Sequence, residues 1–265
     1  MTIRSPIFGA FSALCLALAA SPAAAQDNAA GSSFWDDFEL QIGAGAIFAP
    51  EYEGSDRYDL MPAPIIDLSW RDRIFLSFGA LRADLSPLEN FSFGPLLAYD
   101  PGRENDDSRD LRGTGNVGDT FEGGFFITYE HGPFEFSNVL RTALGGGHEG
   151  TVISPSVAYN MEVTSKLGAS LEVGATWADD DYTSAFFGID ARQSARSGLR
   201  RFNADAGFKN VEISLSGRYA ITDHWGFIAS AGYSRLVGDA ADSPLVDDRG
   251  SRNQGQVLFG ISYQF

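Results

Sequence analysis

Three histidines occur in the chain, and two of them, His131 and His224, fall in short turn sequences. The third, His148, follows Gly145-Gly146-Gly147. A hydrolase would need a His and a Ser held together, and His148 with Ser154 is the nearest such pair in sequence. An acid-type protease would pair His148 with carboxylates instead. No Gly-x-Ser-x-Gly elbow and no zinc-ligand spacing accompanies these residues. The triple glycine reads as a flexible loop, since no helix pattern follows it to make a phosphate cradle. A second chemistry is offered by acidic clusters, Asp179-Asp180-Asp181 and Asp239, Asp242, Asp247 and Asp248. Their hard oxygens suit Ca²⁺, but EF-hand spacing is missing and the expectation is solvated loops. The chain is therefore expected to be no enzyme, with no cofactor and no dedicated metal site.

The remaining candidates are seven charges embedded in alternating runs: Glu39, Glu122, Glu135, Arg141, Glu172, Glu212 and Arg218. What positions them is a period of two. In residues 166–177, Leu167, Ala169, Leu171, Val173, Ala175 and Trp177 share one face, and Gly168, Ser170, Glu172, Gly174 and Thr176 the other. Residues 211–221 and 225–233 repeat the scheme. Less regular versions occupy 38–48, 90–99, 121–130, 134–144 and 151–163. Residues 58–69 and 73–83 are ambiguous, because both faces carry apolar side chains. Runs of about ten alternating residues match a tilted membrane strand, whereas soluble strands average about five or six.

Residues 257–265 are the most telling run. Val257, Phe259, Ile261, Tyr263 and Phe265 point one way, Gly260, Ser262 and Gln264 the other, and Leu258 is the apolar exception. Such a strand ending on a bare aromatic is the form an outer-membrane barrel assembly machinery reads, so Phe259, Ile261, Tyr263 and Phe265 are the expected assembly signal. Trp70, Tyr99, Tyr129, Tyr159, Trp177, Tyr219, Trp225, Tyr233 and Tyr263 cluster at strand ends, as interfacial girdles require. Connections divide into tight turns (70–73, 130–133, 164–166, 222–224) and long, polar, acidic loops (101–118, 179–203, 238–252). That asymmetry is the one expected of periplasmic turns and external loops.

The fold class expected is all-β, a transmembrane antiparallel up-and-down barrel. Eleven runs are countable, but a barrel with its C-terminus on the periplasmic side needs an even number. Twelve strands are expected, with ten as the alternative; the twelfth would come from a break in 200–221, a strand hidden in a loop, or one run wrongly divided. The seven charges then face a narrow interior largely filled by side chains. Opposite charges there are expected to pair as a structural plug; the alternative is a narrow channel whose acidic lining favours cations.

At the other end, Arg4, an apolar run over 7–19 and Ala23-Ala24-Ala25 have the layout of a secretory signal peptide. The run is shorter than the roughly 20 residues of a membrane helix. The single cysteine, Cys15, lies inside it, and Leu14 argues against a lipidation site. The expected organisation is a cleaved signal peptide over 1–25, a short segment over 26–37 and a barrel over 38–265. Cleavage removes only Arg4 among charged side chains, leaving 18 basic against 35 acidic groups and a net charge of −17. A balance so acidic excludes nucleic acid as a partner, because phosphates call for Lys and Arg. It also opposes polybasic binding to membrane surfaces. Aromatics at 13% and 30 glycines, with no long apolar run after the signal, suit strands that face lipid on one side.

Several local motifs go further. Pro50-Glu51-Tyr52-Glu53-Gly54-Ser55 follows the first strand. Trp177-Ala178-Asp179-Asp180-Asp181-Tyr182 leads to Phe187-Gly188 and Ser197-Gly198-Leu199. Thr222-Asp223-His224-Trp225 opens a strand, and Gly238-Asp239-Ala240-Ala241-Asp242-Ser243-Pro244 with Arg249-Gly250-Ser251 precedes the last one. In this order they resemble the MipA/OmpV family, over about residues 38–265. The resemblance implies a monomeric outer-membrane barrel of a Gram-negative bacterium, surrounded by lipid and lipopolysaccharide. It further implies a scaffold joining a lytic murein transglycosylase to a penicillin-binding protein, with porin-like members in the same family. The function expected is that scaffold, a small acidic-lumen channel being the alternative and an outer-membrane hydrolase the third reading. Arg71, Arg73, Lys166 and His224 are the polar residues of the periplasmic turns where partners or inner-leaflet phosphates would be met.

Overall fold

The computed structural model describes residues 37–265. The expected signal peptide over 1–25, and all of the 26–37 segment but its last residue, lie outside the described residues. Twelve strands run in sequence: β1 (Phe38–Pro50), β2 (Tyr58–Trp70), β3 (Ile74–Ser77), β4 (Ala80–Ala83), β5 (Phe91–Asp100) and β6 (Thr120–His131). They continue as β7 (Phe134–Gly146), β8 (Thr151–Thr164), β9 (Leu167–Ala178), β10 (Gly207–Ala220), β11 (Trp225–Leu236) and β12 (Asn253–Gln264). Each pairs antiparallel with its sequence neighbours, and β1 pairs with β12 from Gln41↔Gln264 to Phe48↔Val257, closing the barrel.

The twelfth strand comes from 73–83, a single run in the alternation. Phe78 and Gly79 turn there with φ of 46° and 77°, the all-positive geometry of a two-residue hairpin. Its usual Asn-Gly or Asp-Gly signature is absent, so the turn is silent in the sequence. In place of the break considered in 200–221 there is a bulge within one continuous β10: the β9 register shifts between Phe208 and Asn210.

Alternation becomes a lipid-facing surface and an inner wall. Phe121, Phe125, Ile127 and Tyr129 of β6 are exposed outward, while Glu122 and Phe126 are buried inside. On β12, Val257, Phe259, Ile261 and Phe265 are exposed, and Gln254, Gln256, Leu258 and Ser262 are buried. Ring pairs mark both rims. Phe38–Trp70 and Trp225–Tyr263, at 6.0 and 5.1 Å, lie at the end carrying the short turns. Phe48–Tyr58 and Tyr99–Phe121, at 5.2 and 5.4 Å, lie at the other.

The short β3–β4 hairpin leaves an irregular wall. β2 pairs with β1 along its whole length but with β3 only from Asp67 to Trp70. Pro62 and Pro64 fall in the remaining stretch, which therefore has two fewer N–H groups to satisfy in hydrocarbon.

At the closing seam the glycines of β1 and β12 bring the strands against one another and against Ile65. A Cβ on Gly260 would lie 2.6 Å from Ile65 Cδ1 and 3.0 Å from the Ala44 carbonyl oxygen. Gly260→Val is expected to destabilise the barrel by about 1–3 kcal/mol through overpacking. The measurement is the urea midpoint for loss of the heat-modifiable electrophoretic band; an unshifted midpoint would mean that Ile65 withdraws without cost.

Candidate functional site

The loops at the outer end are not the solvated segments their composition suggests. They carry a short 3₁₀ turn (Arg109–Leu111) and four short helices, α1 (Asp180–Phe187), α2 (Ala191–Ser197), α3 (Gly238–Asp242) and α4 (Pro244–Asp247). Tyr182, Phe186 and Phe187 of α1 pack with Ala240, Ala241 and Val246, and with Val152, Ala178 and Leu236 at the ends of β8, β9 and β11. A second cluster gathers Tyr52, Leu111, Ile189, Leu199 and Leu245. Those five residues come from four different loops, so the loops share one apolar core and form a cap over the outer mouth. Polar ties stitch it together: Ser243 Oγ donates to the Phe187 carbonyl at 2.6 Å, Arg103 Nη1 to Phe186 at 2.6 Å and Arg249 Nη1 to Asp110 at 2.8 Å.

The acidic clusters weighed as Ca²⁺ ligands serve this architecture. Asp179 caps α1, with Oδ1 accepting from Tyr182 N at 2.9 Å and Oδ2 from Thr151 N at 2.7 Å. Asp239 accepts from Asp205 N at 2.8 Å. Asp242 and Asp247 both pair with Arg252, at 3.2 and 3.0 Å.

The bulge in β10 turns Lys209 inward, as bulges re-aim side chains. Its Nζ meets Glu53 Oε1 at 2.5 Å in the buried base of the cap, and it stands 5.5 Å from the Tyr182 ring centroid. Burial raises the Glu53 carboxyl above its ordinary value, opposed by the Lys209 charge. Burial likewise lowers Arg103 to about 10 and pushes Tyr182 well up.

The seven strand charges fall in distinct settings. Glu122 pairs with Arg141 at 2.7 Å. Arg218 donates to the amide oxygens of Gln41 and Gln264, at 2.8 and 2.9 Å. Glu135 and Glu172 flank Ala158 across β7, β8 and β9, and Glu212 of β10 follows opposite Gly174. These three form an acidic strip. Glu39 is exposed at the inner rim.

His148 is fully buried, and it does not join Ser154. The Ser154 hydroxyl is 3.3 Å from that of Thr176, while His148 Nε2 faces Glu122 Oε1 at 3.6 Å and Asp100 Oδ2 at 3.8 Å. Nothing in the sequence joins these three, because the neighbouring ends of β5, β6 and β7 bring them together. The triple glycine is exposed, and its last two members run close to neighbouring backbone. Gly145 and Gly146 end β7, and a Cβ on Gly147 would strike the backbone of Gly118 at 1.8 Å. The following link is pinned as Thr120 Oγ1 accepts from Gly147 N and His148 N at 2.9 and 3.2 Å. The imidazole stacks edge-on against Tyr182 at 5.1 Å, which ties it to α1.

A family model described as MltA-interacting protein MipA matches residues 42–265. The chain belongs to the MipA family. Among curated relatives, the Putative outer membrane protein YiaT of Escherichia coli O157:H7 is 28% identical over 86% of this chain and 91% of that protein. The MltA-interacting protein of Escherichia coli K12 is 27% identical over 86% and 90%. Outer membrane protein OmpV of Vibrio cholerae is 31% identical over 35% of this chain and 34% of that protein. The NanC porin structure aligns with 85% of this chain and all of that one at 11% identity and a TM-score of 0.44, too loose a likeness to bear on function. This MipA-family chain is thus an outer-membrane β-barrel.

Lys209→Met should strand the buried Glu53 carboxylate and weaken the cap by about 3–5 kcal/mol, and adding Glu53→Leu should restore most of that. Limited proteolysis of the loops in the single and double variants reads the difference. Equal cleavage of the wild-type and Lys209→Met proteins would remove the pair from the cap's support.

Proposed function

We propose that the chain is a non-catalytic scaffold that holds peptidoglycan-remodelling enzymes at the inner face of the outer membrane. The partners proposed are a lytic murein transglycosylase and, joined to it, a penicillin-binding protein. The carrying observation is the cap: with the outer mouth filled by a shared apolar core, the inner rim is the face left for partners. The name of the Escherichia coli K12 relative, MltA-interacting protein, points to the same class of enzyme.

At that rim the turn Trp70-Arg71-Asp72-Arg73 is unusual. Arg71 and Asp72 hold φ of 54° and 49° although neither is glycine, and both are exposed. Such strain persists only where its surroundings over-determine it. Here Arg71 lies 5.1 Å above the Trp70 ring and pairs with Asp37 at 2.9 Å, while Arg73 pairs with Asp84 at 3.8 Å. The turn is a fixed, charged projection suited to a protein partner.

The test is binding of the purified lytic transglycosylase from the same bacterium to the refolded, immobilised barrel, alongside conductance in a planar bilayer. Saturable binding, slowed in association by Arg71→Glu as electrostatic steering requires, and an electrically silent barrel are expected. Failure to bind together with steady cation-preferring openings would displace the scaffold and make Glu135, Glu172 and Glu212 pore residues.

We also assign the aromatic face of β12 (Phe259, Ile261, Tyr263 and Phe265) as the signal read by the barrel assembly machinery. Phe265→Ser should lower the outer-membrane level of the protein several-fold without changing its synthesis. Quantitative blotting of membrane fractions measures this, and a normal level would refute the assignment.

A further inference from the structure

Asp100, Glu122 and His148 lie in the barrel wall beneath the cap, and one ligand atom from each is within 4.8 Å of the other two. All three side chains are more than nine-tenths buried. Two of the facing atoms, Glu122 Oε1 and His148 Nε2, have no hydrogen-bond partner although both are buried. The separations of 3.6 and 3.8 Å from Nε2 to the carboxylate oxygens are too long for hydrogen bonds. Buried polar atoms left this way are costly and call for an explanation.

The atoms behind them are engaged. Asp100 Oδ1 accepts from Gly102 N at 2.8 Å, and Glu122 Oε2 accepts from Arg141 Nη1 at 2.7 Å. Gly150 N stands 3.3 Å from His148 Nδ1, the longest of the three contacts. Each side chain is thus anchored through one heteroatom and turns the other toward a common point.

We propose that Asp100, Glu122 and His148 bind one divalent transition-metal ion, with Zn²⁺ the best match. One imidazole and two carboxylates form a mixed nitrogen and oxygen set of the kind such ions take. Tetrahedral Zn²⁺ with bonds of about 2.0–2.1 Å holds its ligands roughly 3.3–3.4 Å apart, a few tenths of an ångström inside the two nitrogen–oxygen separations here. Ca²⁺ and Mg²⁺ fit poorly, since both favour shells of oxygen alone. Coordination through Nε2 places the ring proton on Nδ1, so the Gly150 contact must open; it is the weakest of the three anchors. The Arg141 charge is already committed to Glu122 Oε2 and leaves Oε1 to the metal.

The ion would join the outer end of β5, the start of β6 and the β7–β8 link. Through the His148–Tyr182 ring contact it would hold α1, and with it the cap, to the wall. Its role is structural, and burial means that it enters as the barrel folds. The site is independent of the scaffold reading.

The experiment refolds the full barrel with Zn²⁺, removes unbound metal by gel filtration and measures metal per chain. The wild-type protein should retain about one Zn²⁺, and Asp100→Asn and His148→Gln should each cut retention at least tenfold while keeping the heat-modifiable mobility of a folded barrel. Wild-type protein refolded with Co²⁺ should show the intense d–d absorption of a four- or five-coordinate site, a readout independent of how the variants fold. No retained Zn²⁺, or retention unchanged in both variants, would overturn the site, the latter by placing the ion on exposed loop carboxylates. A purely octahedral, weakly absorbing Co²⁺ spectrum would overturn it as well.

Discussion

Hydrocarbon offers no partner to a backbone N–H or C=O, and the rest of this structure follows from that constraint. A sheet in such a solvent must close, and it closes where β12 meets β1. The β12 residues that face lipid are large and apolar, and those facing inward are mostly small or amide-bearing. Closure brings Gly43, Gly45 and Gly260 so near the facing backbone and Ile65 that side chains there have no room. The sequence around the seam is therefore constrained twice, by lipid outside and by crowding inside. The β2 stretch beyond the β3–β4 hairpin is the place where the ladder is thinnest, and it carries Pro62 and Pro64.

Alternation made most of this legible from the residues alone. Strands such as 166–177 and 211–221 declare themselves because one face meets lipid and the other does not. Where both faces are apolar the signal fails, and the structure gives the reason for 58–69: Ala63 and Ile65 of β2 are buried against the seam, so the inner face is apolar too. The hairpin at Phe78-Gly79 was hidden for another reason. A positive φ at a phenylalanine is rare enough that no residue pattern announces it.

The cap was the part least visible. Its apolar residues, Tyr52, Leu111, Phe186, Phe187 and Leu245 among them, are spread in ones and twos over four acidic loops. Composition read those loops as solvated, because the aspartates outnumber the anchors. Several aspartates instead cap helix starts or pair with Arg252, which is how an acidic segment supports a packed core. The convergence of Asp100, Glu122 and His148 was equally out of reach, since it depends on three strand ends becoming neighbours in the wall.

Two buried polar groups beneath the cap lie beside irregularities in the ladder. The β9–β10 bulge turns Lys209 inward to Glu53, and the β6–β7 register shifts at Glu122, with Leu144 left over on the lipid side. A regular strand alternates faces and cannot place two consecutive residues inside; β10 places both Lys209 and Asn210 there. Bulges also bend the strand that carries them, and here they do so near the rim, where the wall must meet loops instead of lipid. Regular pairing is given up at these two places near the outer end, and once more beside the short β8–β9 turn, between Glu162 and Thr164. The β10 bulge supplies Lys209, whose pair with Glu53 ties the loop after β1 to the wall beneath the cap.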